Sequence, residues 1–226
     1  KKTEIILKKC KIINVFSNEI IEGNLAIDSG KIIGIGDYQG LIEIDLEGKY
    51  LSPGLIDSHV HMESSMVLPS QFARAVVPRG TTSVITDPHE IANVCGLEGI
   101  KFMMESTKDL PLNVYYMLPS CVPATPFENS GARLEAKELK TLIDNPMVLG
   151  LGEMMNYPGV IEGDSKVIDK LKLVQDYNKV IDGHSPDIKN ERLNAYIIGG
   201  VKTDHECSTV DEMNDRLRRG MYISIR

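Results

Sequence analysis

Leu55-Ile56-Asp57-Ser58-His59-Val60-His61 opens as an apolar strand and ends in two histidines one residue apart. Successive side chains of a strand point to opposite faces, so His59 and His61 project to the same side. Two imidazoles so placed can share one metal ion. A lone histidine is more often structural or exposed, but a His-x-His closing an apolar strand favours ligation. Downstream of this run, short β-rich segments alternate with amphipathic ones. The pattern predicts strands at 55–59, 82–86, 113–118, 148–151, 179–182, 201–204 and 222–225, and helices at 70–77, 97–107, 135–143, 165–177, 188–198 and 210–219. Such alternation implies parallel strands joined by helical crossovers. Seven strands with helices between them fit an α/β fold of one kind, an incomplete (β/α)8 barrel of the TIM type. An open doubly wound sheet is the alternative, but it would carry a glycine-rich phosphate turn after its first strand. Gly34-Ile35-Gly36 lies upstream of that point, with no helix after it.

Upstream, residues 1–50 are rich in β-branched and turn-forming residues and show no helical period. Short strands are expected at 5–7, 10–15, 24–27, 31–35 and 41–44, with a hairpin turn at Asp28-Ser29-Gly30-Lys31, where the glycine tolerates positive φ. This gives a small β domain over 1–50, too short to close a core alone, before a barrel domain over 51–226 that holds strands one to seven.

Composition narrows the classes of function. The 226 residues are 42% hydrophobic and 25% charged, as in ordinary globular proteins. A net charge of −7 with no basic run argues against a nucleic-acid partner. The densest basic group, Arg216, Arg218 and Arg219, follows Asp211, Glu212 and Asp215 and predicts a solvated helix face. No apolar run approaches the ~18 residues of a membrane span, and the apolar core of the first nine residues is too short for a signal peptide. The chain does not begin with methionine, so a few preceding residues are expected. Cys10, Cys95, Cys121 and Cys207 form no Cys-x-x-Cys pair and read as free thiols in a reducing cytoplasm.

The five histidines, His59, His61, His89, His184 and His205, all fall at or just past a predicted strand end. Barrel active sites form at that face. Glu153 follows the strand Met147-Val148-Leu149-Gly150-Leu151-Gly152. It is either a solvated loop residue or a buried carboxylate in need of a partner, which a metal would supply; its two oxygens could also bridge two metals. Asp182-Gly183-His184 and Thr203-Asp204-His205-Glu206 close the next two strands. Histidine with carboxylate suits Zn, Fe or Mn. The chemistry expected is metal-assisted hydrolysis.

These residues resemble the amidohydrolase superfamily: a small β region, then Leu51-Ser52-Pro53-Gly54-Leu55-Ile56-Asp57 leading into His-x-His, then histidines at the fifth and sixth strand ends. More specifically, the chain is similar over its whole length to the adenine deaminase branch. The runs that carry this are His59-Val60-His61-Met62-Glu63-Ser64-Ser65, Thr86-Asp87-Pro88-His89-Glu90-Ile91-Ala92-Asn93-Val94, Pro119-Ser120-Cys121-Val122-Pro123-Ala124-Thr125 and Gly150-Leu151-Gly152-Glu153-Met154-Met155-Asn156. The resemblance implies hydrolysis of adenine to hypoxanthine and ammonia at a centre of two divalent metal ions (Mn, Fe or Zn). His59 and His61 would hold one ion and His184 and His205 the other. Glu153 would bridge them where many relatives carry a carboxylated lysine. Glu153 and His205 would also serve catalysis. His89 and Glu90 would bind substrate or support the metal ligands from behind, or else form only a helix-start cap and turn. A purine substrate, a cytoplasmic place in adenine catabolism and, at full length, a homo-oligomer are further implications. The superfamily's eighth-strand aspartate has no match before Arg226, so the resemblance implies an N-terminal piece that ends inside the seventh strand and is inactive alone. The alternatives are another amidohydrolase, such as an N-acyl-sugar deacetylase or a cyclic-amide hydrolase, and a non-catalytic metal-binding fragment. The Asp87-Pro88-His89-Glu90 run separates the deaminase from the first of these.

Overall fold

The computed structural model describes residues 2–125 and 127–225. Lys1 and Arg226, which the sequence reading put at the N-terminal segment and in the seventh strand, lie outside them. The chain divides into two compact units, Lys1–Gly54 and Leu55–Arg226.

In the first unit, β1 (Thr3–Asn14), β2 (Glu19–Asp28) and β3 (Lys31–Ile35) form an antiparallel meander, while β4 (Gly40–Asp45) and β5 (Tyr50–Leu51) pair with β1 in parallel. The expected turn is present: Ser29 and Gly30 both take positive φ, 50° and 70°, as a two-residue hairpin loop requires. Strands expected at 5–7 and 10–15 are one strand. Lys8 and Lys9 interrupt the apolar pattern, but the register only shifts there, and the Lys9 N–H bonds to Asn24 Oδ1 at 3.0 Å. Cys10, Ile12 and Leu25 make a minimal buried core, and Ile20, Ile32, Leu41 and Ile42 remain exposed.

In the second unit, β6 (Leu55–Val60), β7 (Thr81–Thr86), β8 (Asn113–Leu118), β9 (Val148–Met154) and β10 (Val180–Gly183) form a parallel sheet in sequence order. β11 (Thr203–Asp204) and β12 (Tyr222–Ile223) pair in parallel, and the Lys202 N–H continues the sheet by bonding to the Ile181 carbonyl at 3.0 Å. The sheet curls far enough for Ser58 Oγ to come within 3.3 Å of Ser224 Oγ. This is the incomplete α/β barrel expected. Strands buried on both faces, such as Val148-Leu149-Gly150-Leu151, read as continuous apolar runs for that reason.

The outer layer comprises α1 (Pro69–Val76), α2 (His89–Ser106), α3 (Ala136–Leu139), α4 (Tyr157–Glu162), α5 (Ser165–Asp176), α6 (Asn190–Ile198) and α7 (Val210–Leu217). α2 begins well before the expected 97, because a kink at Gly96 joins a first segment whose pattern does not run on in phase. α4 occupies the Asn156-Tyr157-Pro158-Gly159 run that reads as a turn; Asn156 Oδ1 accepts from the Gly159 N–H at 3.0 Å and caps the helix instead. Among the described residues no helix is long and apolar enough to cross a membrane, and all four cysteines are free.

A charge expectation is overturned as well. Arg216 does not lie on a solvated face: it is fully buried, and its Nε donates to Asp204 Oδ2 at 2.5 Å. Asp204 also accepts from Ser185 Oγ at 2.6 Å and is itself 0% exposed. The charge alternation along α7 is real, but one stripe of any amphipathic helix faces inward, and here that stripe carries a cation because the facing strand end carries an anion.

Candidate metal centre

β6 delivers His59 and His61 to the C-terminal rim of the sheet, and each ring is anchored by its Nδ1. His59 Nδ1 lies 3.0 Å from Asp182 Oδ2, and His61 Nδ1 lies 2.9 Å from the Asp87 carbonyl oxygen. Both partners only accept, so both Nδ1 atoms hold the proton. The two Nε2 atoms face each other at 3.2 Å. In neutral rings that contact sets one lone pair against another, and a cation between them relieves it.

Glu153, on β9, supplies the opposite side. Its side chain is 5% exposed. Oε2 lies 2.9 Å from His184 Nδ1 and 3.0 Å from His205 Nε2; Oε1 lies 3.3 Å from His89 Nδ1 and 3.5 Å from His61 Nε2. The two carboxylate oxygens therefore serve two groups of imidazoles, His184 and His205 at Oε2 and His61 and His89 at Oε1, while His59 Nε2 lies 4.0 Å from Oε2. Ligand atoms of His59, His61 and Glu153 lie within 4.8 Å of one another, and so do those of Glu153, His184 and His205. All the expected ligands converge, from β6, β9 and the ends of β10 and β11. With the opposed His59 and His61 nitrogens, this donor set fits divalent ions of the Zn, Fe and Mn type.

The supports of Glu153 were not foreseen. Its N–H donates to Asp87 Oδ2 at 3.1 Å, and its carbonyl accepts from Ser120 Oγ at 2.6 Å. The Ser120 carbonyl in turn accepts from the buried Lys170 Nζ at 2.8 Å. Asp87 and Asp182 stand inside runs singled out by motif, so the signal was present without the role. Nothing local marks Lys170, which α5 brings from 50 residues away. Burial opposes the charge on Glu153, yet His184 and His205 pull its carboxyl far below the usual carboxylate range. Burial pushes the Asp87 carboxyl up, against the pull of His89. Burial also lowers the basicity of His89, but Asp87, Glu90 and Glu153 outweigh it and raise its pKa to about 9. Glu90 stands at the rim, 3.6 Å from His89 Nε2 and 3.7 Å from His61 Nδ1. Next to it, burial together with Glu90 raises the Glu63 carboxyl to about 7.

The amidohydrolase family profile matches residues 50–225. The chain belongs to the amidohydrolase family. Among curated relatives, it is 63% identical over 226 residues to an adenine deaminase of Clostridium acetobutylicum, covering 100% of this chain and 40% of that protein. It is 54% identical over 223 residues to an adenine deaminase of Nitratidesulfovibrio vulgaris, covering 99% of this chain and 39% of that one. The chain thus spans about two fifths of the length of the curated relatives it matches. Among solved structures, it resembles an atrazine chlorohydrolase from Arthrobacter aurescens complexed with zinc, at TM-score 0.69 and 15% identity over 98% of this chain and 65% of that one. It also resembles an N-acyl-D-glutamate deacylase from Bordetella bronchiseptica complexed with zinc, at TM-score 0.66 and 16% identity over 100% of this chain and 58% of that one. At such identities the likeness carries the amidohydrolase fold alone.

In this amidohydrolase chain the glycine before Glu153 is required by space. A Cβ on Gly152 would run into the Asp87 carboxylate that holds the Glu153 N–H. Gly152→Ala is expected to destabilise the protein by about 1–3 kcal/mol, the range for overpacking a filled interior, and to weaken divalent-ion binding. Urea unfolding and metal titration of the purified variant measure the two effects.

Proposed function

We propose that the full-length protein is an adenine deaminase, which hydrolyses adenine to hypoxanthine and ammonia with two divalent metal ions (Mn, Fe or Zn). The identity of 63% to an adenine deaminase, unbroken along the chain, supports the substrate. The observation that carries the reaction class is the two-sided environment of Glu153. His59 and His61 would hold one ion, His184 and His205 the other, and Glu153 both. When bound, such ions polarise the electrophile and lower the pKa of water toward neutrality.

The chain's own residues would prepare the rest. Asp182 and the Asp87 carbonyl fix the ring orientation of His59 and His61. Asp87, Ser120 and Lys170 hold the Glu153 backbone, so its carboxylate need not reorganise during reaction. His205, 3% exposed, closes the floor beside Glu153 and would touch the attacked centre. His89 and Glu90 would line the substrate's approach. The four free thiols fit a reducing compartment and a cytoplasmic place in adenine catabolism.

The test is ammonia release from adenine by the complete gene product loaded with Mn. Activity is expected in the parent, with at least a hundredfold loss (about the scale for disturbed metal sites) in His59→Ala. Metal-loaded protein that is inert on adenine would end the deaminase reading.

A further inference from the structure

Four buried side-chain polar atoms among the described residues find no hydrogen-bond partner, and all four stand on one wall: Glu63 Oε2, Asp87 Oδ1, His89 Nδ1 and Glu90 Oε2. Asp87 is 1% exposed, so water does not reach it freely. Native interiors rarely leave such atoms unpaired. His89 Nδ1 faces the Glu153 and Asp87 carboxylates at 3.3 and 3.7 Å, but the other three are carboxyl oxygens, and their gathering at one place marks a site shaped for something that donates.

The wall has an order. Glu153 Oε1 is 3.3 Å from His89 Nδ1, and the far nitrogen of the same ring, Nε2, is 3.6 Å from Glu90 Oε1. Glu90 abuts Glu63. One oxygen of each glutamate is already tied: Ser64 Oγ donates to Glu90 Oε1 at 2.7 Å, and the Ile91 N–H to Glu63 Oε1 at 3.4 Å. The second oxygen of each is buried and unpaired. Two acceptors are therefore held in place one imidazole away from Glu153.

We propose that Glu63, together with Glu90, determines specificity by accepting a ring N–H of the substrate, so that the site takes free nitrogen heterocycles and rejects those substituted on that nitrogen. The inference rests on the deaminase reading. In adenine the reacting carbon is in the six-membered ring and the N–H in the five-membered ring. A base carrying a sugar or methyl group on that nitrogen has no such proton, and would leave both oxygens unpaired as well as crowding them. Sites built to bond a substrate N–H discriminate by about 10^4-fold against analogues lacking it.

The experiment compares adenine with 9-methyladenine on the complete, Mn-loaded protein and its Glu63→Gln and Glu63→Ala variants. Hypoxanthine and 9-methylhypoxanthine binding, measured by calorimetry, gives a readout apart from turnover. The parent is expected to prefer adenine by about 10^3-fold or more. Glu63→Gln, which keeps the side chain's volume, is expected to raise KM for adenine about tenfold with kcat nearly kept, the mark of lost uniform binding. The preference, in turnover and in calorimetry alike, should fall at least about tenfold. Should Glu63→Ala fail to fold, the isosteric amide carries the test. A parent active on adenine whose variants keep the full preference overturns the role of Glu63 and leaves the deaminase reading standing. A parent that releases no ammonia from adenine overturns both.

Discussion

If the complete protein is the proposed deaminase, Glu153→Gln is expected to lower its ammonia release from adenine by about 10^2–10^3-fold, the scale on which a single charge-stabilising group in an active site operates, and to lower the bound metal as well. The reason lies in the two faces of the carboxylate. Oε2 sits between His184 and His205, and Oε1 faces His61 and His89. An amide keeps the shape but replaces one oxygen with a nitrogen that cannot ligate, so one group of imidazoles loses its shared partner. His184 and His205 hold the carboxyl far below its usual range, against burial. The ionised form is thus the favoured one, and glutamine removes that charge. Glu153→Asp keeps the charge and withdraws both oxygens by one methylene; an intermediate loss is expected. Metal content by emission spectroscopy and an ammonia assay check both variants. Glu153→Gln protein with full metal and full turnover would remove Glu153 from the reaction.

Arg216→Met is expected to cost about 3–5 kcal/mol of stability, the range for breaking one side of a buried ion pair. Arg216 and Asp204 are both 0% exposed, so methionine would leave a carboxylate with Ser185 and backbone N–H groups alone. Asp204 immediately precedes His205, so the damage should also reach the metal centre. The double variant Arg216→Met with Asp204→Leu should recover most of the stability, because what is costly is the orphaned charge. Urea midpoints of the three proteins test this; a single variant within about 1 kcal/mol of the parent would contradict it. Acid gives a second measure. Burial raises the Asp204 carboxyl, but Ser185 and Arg216 outweigh it and hold it below its ordinary value of 3.8. A carboxyl depressed in the folded state contributes stability above its unfolded pKa. That contribution is present above about pH 4 and is lost as pH falls through the lower folded value.

Much of this site was legible because its ligands sit at strand ends, where a change from apolar run to histidine is visible within a few residues. His59 and His61 needed only the alternation of a strand. What escaped was whatever depends on a partner elsewhere in the chain. Arg216 reads as solvent-facing because the residues around it are charged, and only Asp204, on another element, turns it inward. Lys170 looks like any lysine of an amphipathic helix until Ser120 is placed above it. Glu63 follows His61 in a short 3-10 turn, Met62–Ser65, too brief to leave a period, so its buried oxygen could not be anticipated. α4 was hidden because asparagine, proline and glycine both make turns and start helices.

The anchoring of His59 by Asp182 joins residues 123 positions apart, and Glu153 finds Asp87 across 66. Apart from His59 and His61, no two of the five expected ligands are near neighbours in the chain. The pocket of donors thus has no local precursor: contacts of such sequence separation come only after long loops have closed. An isolated peptide spanning the His-x-His run would offer two nitrogens and nothing more. Ion loading then reports on complete folding, and in a mixed preparation the metal content per chain is a gauge of the fraction that has reached the native state.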